Sequence, residues 1–453
     1  MISGEWTLRS RRVVTPSGTL AADLVIRDEK IEALAEHDGH DREGVILDVG
    51  DLLVLPGLVA LHVDEPREHG QGGFEQATDD AAVGGVTTLI DLPPDDSPDS
   101  NSPSGFNTRM NAARGKLRVD CGLVIGLGHG NTDLIEPWVE AGVIGIEAFL
   151  DPVGCGGVKT SIESDLRITM ATLARLGRPL LFHAERVVAP PPPGETGRFA
   201  SALSGREFDA IRLLIRLCRE SRCHVHLIHP TGSEALPMIA EARAEGLPLT
   251  VETCPHHLCF ARSEIVDEAP TLNLNPRSPG PDDRERLWDG LTSGLIDSVG
   301  ADHPRVFGHS SRPAPGLDGH LPHEYTPLPH ALAAVWTEAR RRGFTTDDVA
   351  RWMAGRPASI LGLSGSKGSI EPHADADLVI FDPDANFLAD PDPLRRRRSA
   401  TPLGGRVLTG RVDATVLRGS MIYQAGRFHD LPKGSVVRRF EETLRLPDMG
   451  TKH

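Results

Sequence analysis

Residues 52–70, with the sequence LLVLPGLVALHVDEPREHG, constrain the fold of this chain more strongly than any other stretch. An apolar run breaks at Pro56-Gly57, resumes over residues 58–61 and ends at His62. A short apolar run bounded by turn residues is typical of a strand buried on both faces, as in a parallel sheet. A histidine at the C-terminal end of such a strand lies where a (β/α)₈ barrel carries its chemistry.

Strand-like and helical segments alternate after this point. Apolar, β-branched runs predict strands at residues 85–93, 119–128, 143–150, 179–185, 224–229, 249–253 and 298–303. Helical spacing of apolar residues predicts helices at residues 74–83, 132–141, 163–176, 208–218 and 287–296. This alternation favours a parallel sheet closed by crossover helices, and the length fits a barrel with insertions. The predicted fold class is therefore α/β, with a TIM barrel at its centre.

The two ends of the chain predict a second sheet. Residues 6–15 and 22–31 are β-type runs separated by a Pro-Ser-Gly turn, and residues 45–49 continue the pattern. Because no helices lie between these strands, we expect them to form a sheet outside the barrel. Their predicted partners are residues 376–382 and 411–423, near the other end of the chain.

Composition excludes several classes of protein. With 39% hydrophobic and 25% charged residues, the 453-residue chain can bury a core, and global disorder is not expected. A net charge of −16 argues against a nucleic-acid or membrane partner, and we interpret the basic run 395–398 as a solvated or oligomer-facing turn. The six cysteines form no CxxC pair, so reduced buried thiols are expected. Without an apolar leader or an 18-residue apolar span, a cytoplasmic location is predicted.

The residues around His62 resemble the first barrel strand of the amidohydrolase superfamily, in particular its cyclic amidohydrolases: dihydroorotase, allantoinase and hydantoinase. The family pattern is P-G-x-V-D-x-H-x-H; this chain keeps Pro56, Gly57, Val59 and His62. It has Ala60 in place of the aspartate, and Asp64 or a deletion in place of the second histidine.

A second resemblance lies near the C-terminus, where KGSIEPHADADLVIFDPD, residues 367–384, is similar to the signature that follows the family's barrel. In that family the strands of both termini build one small β-sandwich. The resemblance therefore implies N-terminal strands of this sandwich in residues 1–54, a TIM-barrel catalytic domain in residues 55–366, and C-terminal sandwich strands and a tail in residues 367–453.

The same resemblance implies a metal site. His183 in LLFHAE and His226 in HVHL resemble the metal ligands of the fifth and sixth strands, whereas His224 and His229 have no such match and are interpreted as structural. Glu147 stands where the family has a carboxylated lysine. Glu147, His183 and His226 would form a three-ligand catalytic zinc site, with one Zn²⁺ per chain expected and two as the alternative.

Further residues are assigned roles by resemblance. Asp302 in VGADHP resembles the strand-eight aspartate that carries a proton from the attacking water to the leaving nitrogen. Asn275 in NLNPR matches a substrate-contacting asparagine, with an Asn-Pro turn as the alternative. Arg67 lies next to the position of a carboxylate-binding arginine. His62 is either a remaining metal ligand or a donor to the substrate carbonyl.

Together these features predict metal-dependent hydrolysis, or reverse closure, of a C–N bond in a small cyclic amide or ureide, with metal-bound hydroxide as nucleophile. A homo-oligomer is expected. The competing hypothesis is a catalytically silent, dihydroorotase-like structural subunit, motivated by Ala60, Asp64 and Glu147. Retention of His62, His183, His226 and Asp302 argues against that hypothesis, because a scaffold does not need this set.

Overall fold

The computed structural model describes residues 5–37, 44–63, 73–91, 102–150, 161–184, 196–230, 232–261, 279–301, 328–390, 403–429 and 432–439; for residues 196–204 it describes the backbone. Its strands β1 to β18 are, in chain order, Trp6–Thr15, Gly18–Arg27, Lys30–Glu36, Val45–Asp48, Leu53–Pro56, Leu58–Val63, Val86–Asp91, Asp120–Leu127, Gly145–Phe149, Leu180–His183, Val225–Ile228, Leu249–Thr253, Ser298–Val299, Leu378–Leu388, Val407–Leu417, Ser420–Gln424, Arg427–Phe428 and Val436–Val437. Its α-helices α1 to α11 are Phe74–Val83, Pro103–Ala113, Ile135–Glu140, Glu163–Leu176, Thr196–Ser221, Leu236–Ala244, Pro255–Cys259, Pro281–Ser293, Ala331–Arg341, Thr346–Ala350 and Arg356–Ile360.

Strands β6 to β13 form one parallel sheet in sequential order, with helices in the connections. The Ala301 N–H, just after β13, donates to the Leu61 carbonyl of β6 at 3.2 Å and so links the last strand of the sheet to the first. Inside this sheet lies an apolar cluster that includes Val59, Leu61 and Leu181. The predicted α/β barrel is confirmed.

The strands of both termini form the second sheet, as predicted for the terminal β domain. Its order is β17-β16-β15-β14-β5-β1-β2-β3, with β4 beside β1. Strand β5 pairs with β14 and thereby joins the N-terminal strands to the C-terminal ones. A separate core fills this domain, with Trp6, Leu24 and Ile380 among its buried residues.

One predicted strand of this sheet is two strands. The run 22–31 is interrupted at Asp28 and Glu29, whose φ angles of 49° and 68° turn the chain between β2 and β3. Positive φ is uncommon outside glycine, although Asp is among the residues enriched there. Residues 27–30 are all charged and include neither glycine nor proline, so the usual turn residues do not mark this hairpin in the sequence.

The helices differ from prediction mainly at their ends. Helix α5 begins at Thr196, well before the predicted residue 208, since the prediction rested on apolar spacing that starts at Phe208. Helix α8 spans Pro281–Ser293, whereas residues 287–296 were predicted. It has a proline in its first turn, and the residue that follows it is Gly294, with φ of 74°. Proline at the start and glycine at the end of a helix are ordinary boundary signals.

The C-terminal segment returns to the barrel. Strand β18 pairs in parallel with β8, at Cys121 and Gly122, and Val437 packs against the apolar cluster inside the barrel. Five cysteines lie in the described ranges, all buried and none in a disulfide, as expected for reduced thiols. None of the described helices is both long and apolar enough to cross a membrane.

Candidate metal centre

Three histidines and a glutamate meet at the C-terminal ends of four barrel strands. His62 comes from β6, Glu147 from β9 and His183 from β10, and His229 directly follows β11. The ring centroids of His62 and His183 are 4.5 Å apart, and His229 lies 5.0 Å from the first and 5.1 Å from the second. One ring nitrogen from each histidine lies within 4.8 Å of the other two.

The Glu147 carboxylate contacts two of these imidazoles. Its Oε1 lies 2.5 Å from His183 Nε2 and 3.6 Å from His62 Nδ1. The Glu147 side chain is fully buried, and the side chain of His183 is only 5% exposed. A buried carboxylate between two imidazoles is costly without a positive charge, so the arrangement favours a bound cation or a shared proton.

Unusual backbone angles bring two of the histidines into this cluster. Successive side chains of a strand point to opposite faces, and Leu61 and Ile228 already face the barrel interior. His62 and His229 follow them with φ angles of 60° and 28°, which break the alternation and turn a second side chain inward. A non-glycine residue with positive φ costs conformational energy, and such strain is concentrated at functional sites.

Phe149 supports the cluster from one side. Its ring stacks on the His183 imidazole with a centroid distance of 4.3 Å and an interplanar angle of 14°. Phe149 lies two residues beyond Glu147 on β9, and its strand partner across the sheet is His183. This contact, which the sequence analysis did not anticipate, restricts rotation of the imidazole.

His226 lies outside the cluster. Its backbone pairs with Leu181 and Thr250, the same register as Glu147, but the ring nitrogens that converge are those of His62, His183 and His229. The His226 Nδ1 lies 2.9 Å from the Thr250 hydroxyl, and its Nε2 lies 3.5 Å from Glu252 Oε2. The geometry therefore places His229, and not the predicted ligand His226, beside His62, Glu147 and His183.

The position of His229 at the end of a predicted barrel strand, where barrels carry their chemistry, is the signal that could have identified it. Strand register does not, since the partner of His183 on β11 is Ile228. The choice of His226 relied on the resemblance of HVHL to a family motif, which does not report the positive φ that turns His229 inward.

Four residues named from the sequence lie outside the described part of the chain: Asp64, Arg67, Asn275 and Asp302. Ala60, the other departure from the family pattern, is buried on β6 in the large apolar core. Its methyl group packs with apolar neighbours.

The donor set fits a transition-metal ion. Imidazole nitrogens and a carboxylate oxygen are the ligands that zinc accepts, and three or four of them converge here in a buried setting. Catalytic zinc sites use three protein ligands and keep one position for water or substrate. The His62 side chain is 10% exposed and is therefore more accessible than that of His183, which is 5% exposed.

Two further groups of potential ligands lie in the described ranges. Cys254, His256 and His257 are buried together, and burial holds the pKa of His256 well below its usual value. Asp120, Asp375 and Asp377 form the other group, but the Lys367 ammonium lies 2.7 to 2.8 Å from a carboxylate oxygen of each. That ammonium already supplies the counter-charge, so the aspartate group requires no metal.

Comparisons with known proteins agree on one family. The amidohydrolase family model matches residues 199–422. An allantoinase of Streptomyces avermitilis is 37% identical over 447 residues, covering 96% of this chain and 99% of the relative. The allantoinase of Arabidopsis thaliana is 30% identical over 452 residues, covering 93% of this chain and 88% of the relative.

Solved structures show the same fold. The L-hydantoinase (dihydropyrimidinase) of Arthrobacter aurescens superposes with a TM-score of 0.86 at 24% identity, covering 96% of this chain and all of that chain. A dihydropyrimidinase from Brevibacillus agri gives a TM-score of 0.84 at 23% identity, covering 96% of this chain and 99% of that chain.

Proposed function

This chain belongs to the amidohydrolase family, in its cyclic amidohydrolase branch, and on that premise we propose that it hydrolyses a C–N bond in the ring of a cyclic ureide. Allantoin is the first candidate substrate, because the relatives that match along almost the whole chain are allantoinases. The observation that carries the proposal is the buried group of His62, Glu147, His183 and His229 at the C-terminal edge of the barrel. Barrel enzymes place their chemistry at this edge.

The proposed ligands are Glu147, His183 and His229, with His62 as the fourth member of the group and one Zn²⁺ as the proposed metal. When bound, such an ion polarises a carbonyl oxygen and lowers the pKa of a coordinated water to about 7. Glu147 contributes the negative charge that a carboxylated lysine contributes in relatives. Its fully buried carboxylate, within 2.5 Å of His183 and 3.6 Å of His62, supports this role.

We assign the remaining roles from sequence motifs. Asp302, at the end of the eighth barrel segment, would take a proton from the attacking water and return it to the leaving ring nitrogen. Asn275 would hydrogen-bond the ring amide, and Arg67 would bind an anionic substituent. The partly exposed His62 side chain would either complete the metal site or donate to the substrate carbonyl.

The catalytic hypothesis is favoured over the silent subunit. The barrel keeps a buried donor set whose assembly requires two residues with positive φ, His62 and His229. A purely structural subunit gains nothing from that conformational cost. Along 96% of its length the chain also matches a protein identified as an allantoinase.

We also propose a homo-oligomer. Leu388 and Val407 pair across β14 and β15, and they are 65% and 59% exposed. Apolar side chains exposed side by side are candidates for burial against a second copy. Sedimentation velocity tests this, since a monomer at micromolar concentration would contradict it.

An assay of ring opening tests the proposed function. The purified protein, loaded with Zn²⁺, is offered allantoin, hydantoin, dihydrouracil and dihydroorotate in turn, and the ring-opened ureido acid is measured. We expect turnover of allantoin above the other rings, abolished in Asp302→Asn. Preference for another ring would redirect the substrate assignment, and no turnover of any ring by a metal-loaded protein would contradict the function.

A further inference from the structure

A second polar layer lies beneath the candidate metal centre. His226 on β11 and Glu252 on β12 are each only 1% exposed, and their facing atoms, Nε2 and Oε2, are 3.5 Å apart. The other ring nitrogen of His226 lies 2.9 Å from the Thr250 hydroxyl, which fixes the imidazole from the opposite side. The barrel interior therefore contains an acid–base pair that the proposed chemistry does not use.

The Glu252 carboxylate occupies the space that a side chain at position 300 would need. A Cβ added to Gly300 would lie 2.5 Å from both carboxylate oxygens and 2.6 Å from the carboxylate carbon. Gly300 is not among the glycines with positive φ, so lack of space, and not backbone conformation, is what requires glycine here.

Gly300 belongs to the backbone that closes the barrel. Its N–H donates to the Thr253 carbonyl at 2.8 Å, and the next N–H, of Ala301, donates to the Leu61 carbonyl at 3.2 Å. Leu61 directly precedes His62, whose φ of 60° depends on its surroundings to be maintained. A continuous series of contacts thus runs from Glu252 through Gly300 and Ala301 to His62.

We propose that Glu252, packed between His226 and Gly300, is a positioning residue that fixes the closing backbone at Gly300–Ala301 and thereby the His62 imidazole in the metal centre. The carboxylate is buried, 3.5 Å from the imidazole on one side and against Gly300 on the other, so close packing makes it a steric stop for this backbone. The effect on catalysis rests on the proposed function. The effect on the position of His62 does not.

Enlarging the side chain at position 300 and shortening the one at position 252 tests the proposal. In Gly300→Ala the new methyl group collides with the carboxylate and displaces the closing backbone. Because misplacement by about 1 Å can cost about 10²-fold in rate, we expect kcat for the preferred ring substrate to fall about 10- to 100-fold while KM changes little. Glu252→Asp withdraws the carboxylate by one methylene, so Glu252→Asp/Gly300→Ala should recover most of the lost kcat.

The second readout does not require turnover. With ¹⁵N-labelled histidine, the ring resonances of His62 are followed in the chelator-treated, metal-free protein. They should shift in Gly300→Ala and return toward the wild-type position in the double variant. Glu245→Gln is the control, because the Glu245 side chain is 46% exposed and its carboxylate pairs with Arg219. Its kcat and the His62 resonances should remain those of the wild type.

Each result decides the proposal. Unchanged His62 resonances in folded Gly300→Ala would overturn it, as would a double variant that is no better than Gly300→Ala. If Gly300→Ala does not fold, Glu252→Asp replaces it, because it withdraws the carboxylate from the backbone at Gly300; it should shift the same resonances, and their failure to move would again overturn the proposal. A wild type inactive on every ring would contradict the proposed function alone, since the resonance comparison still tests the positioning role.

Discussion

Glu147 Oε1 lies 2.5 Å from His183 Nε2, on the adjacent strand, and 3.6 Å from His62 Nδ1 across the barrel mouth. One carboxylate from the middle of the sheet thereby links the first barrel strand to the fifth. This contact lets Glu147, for which the sequence resemblance implies the position of a longer, carboxylated lysine, reach two imidazoles. The His183 and His62 side chains approach it from both sides within a buried setting.

Replacing Glu147 by Gln should abolish tight metal binding. The amide keeps the shape of the side chain but removes the anionic oxygen, so we expect metal affinity to fall by at least about 10²-fold. Competition with a chromogenic chelator measures the change. Glu245→Gln is the control, because Glu245 is 46% exposed and follows the C-terminal end of α6. Equal affinity in wild type and Glu147→Gln would contradict the assignment.

Gly57 and Thr87 should behave as a packing pair. A Cβ at Gly57 would lie 2.2 Å from Thr87 Oγ1, on the neighbouring strand β7, so Gly57→Ala should destabilise the fold by about 1–3 kcal/mol. Thr87→Ala/Gly57→Ala should recover most of this loss, because the second change removes the colliding atoms. Urea unfolding of the wild type, the two single variants and the double variant gives the coupling free energy between the two positions. Simple additivity would show that the glycine is required for another reason.

Lys367 should be essential for stability. Its ammonium lies within 2.8 Å of Asp120, Asp375 and Asp377, and those aspartates raise its pKa above the usual value even though burial lowers it. Removing one partner of a buried ion network leaves uncompensated charge, so Lys367→Met should cost about 3–5 kcal/mol. Chemical denaturation measures the loss.

The control for this prediction is an exposed ion pair. Arg219 and Glu245 are 48% and 46% exposed, and exposed pairs contribute little. Arg219→Ala should therefore unfold at almost the wild-type denaturant concentration. A Lys367→Met protein as stable as that control would show that the three aspartates are neutralised by protonation instead.

The stability of the protein should fall as the pH drops from about 6.5 to 4, in part because of His224. Burial, with the nearby His226 charge, lowers the pKa of His224 from 6.5 to about 4. In this range the unfolded chain binds a proton that the folded chain does not, so acid favours unfolding.

His224→Gln should reduce the loss of unfolding free energy between pH 6.5 and 4 by an amount on the order of 2 kcal/mol. Above pH 7 the unfolding free energies of the wild type and the variant should depend on pH with similar slopes. Urea unfolding at a series of pH values, with equal metal loading, measures both slopes. Parallel curves from pH 7 to 4 would show that His224 is protonated as readily in the folded protein as in the unfolded chain.

The alternation of strand-like and helical segments identified the fold from sequence, because the spacing of apolar residues reflects burial. The apolar run 58–61 and the β-type run 249–253 lie in strands, and the predicted helix at residues 74–83 has the bounds of α1. The turn at Asp28 and Glu29 was missed because it is built from charged residues of positive φ, without the glycine or proline that usually marks a turn.

Motif resemblance named three members of the cluster from the sequence: His62, Glu147 and His183. Glu147 and His183 follow the ordinary alternation of β9 and β10, whereas His62 has a positive φ. His229 departs from it through its φ of 28°, and no local pattern reports that angle. Contacts such as Phe149 on His183 depend on register between strands, which a single sequence does not provide.

Metal content of two histidine variants tests the central claim most directly. Wild type, His229→Asn and His226→Asn are purified in parallel without chelator, offered Zn²⁺, dialysed and analysed for metal per chain. We predict about one zinc in the wild type and in His226→Asn, and almost none in His229→Asn. Metal retained in His229→Asn and lost in His226→Asn would contradict the proposed centre of His62, Glu147, His183 and His229.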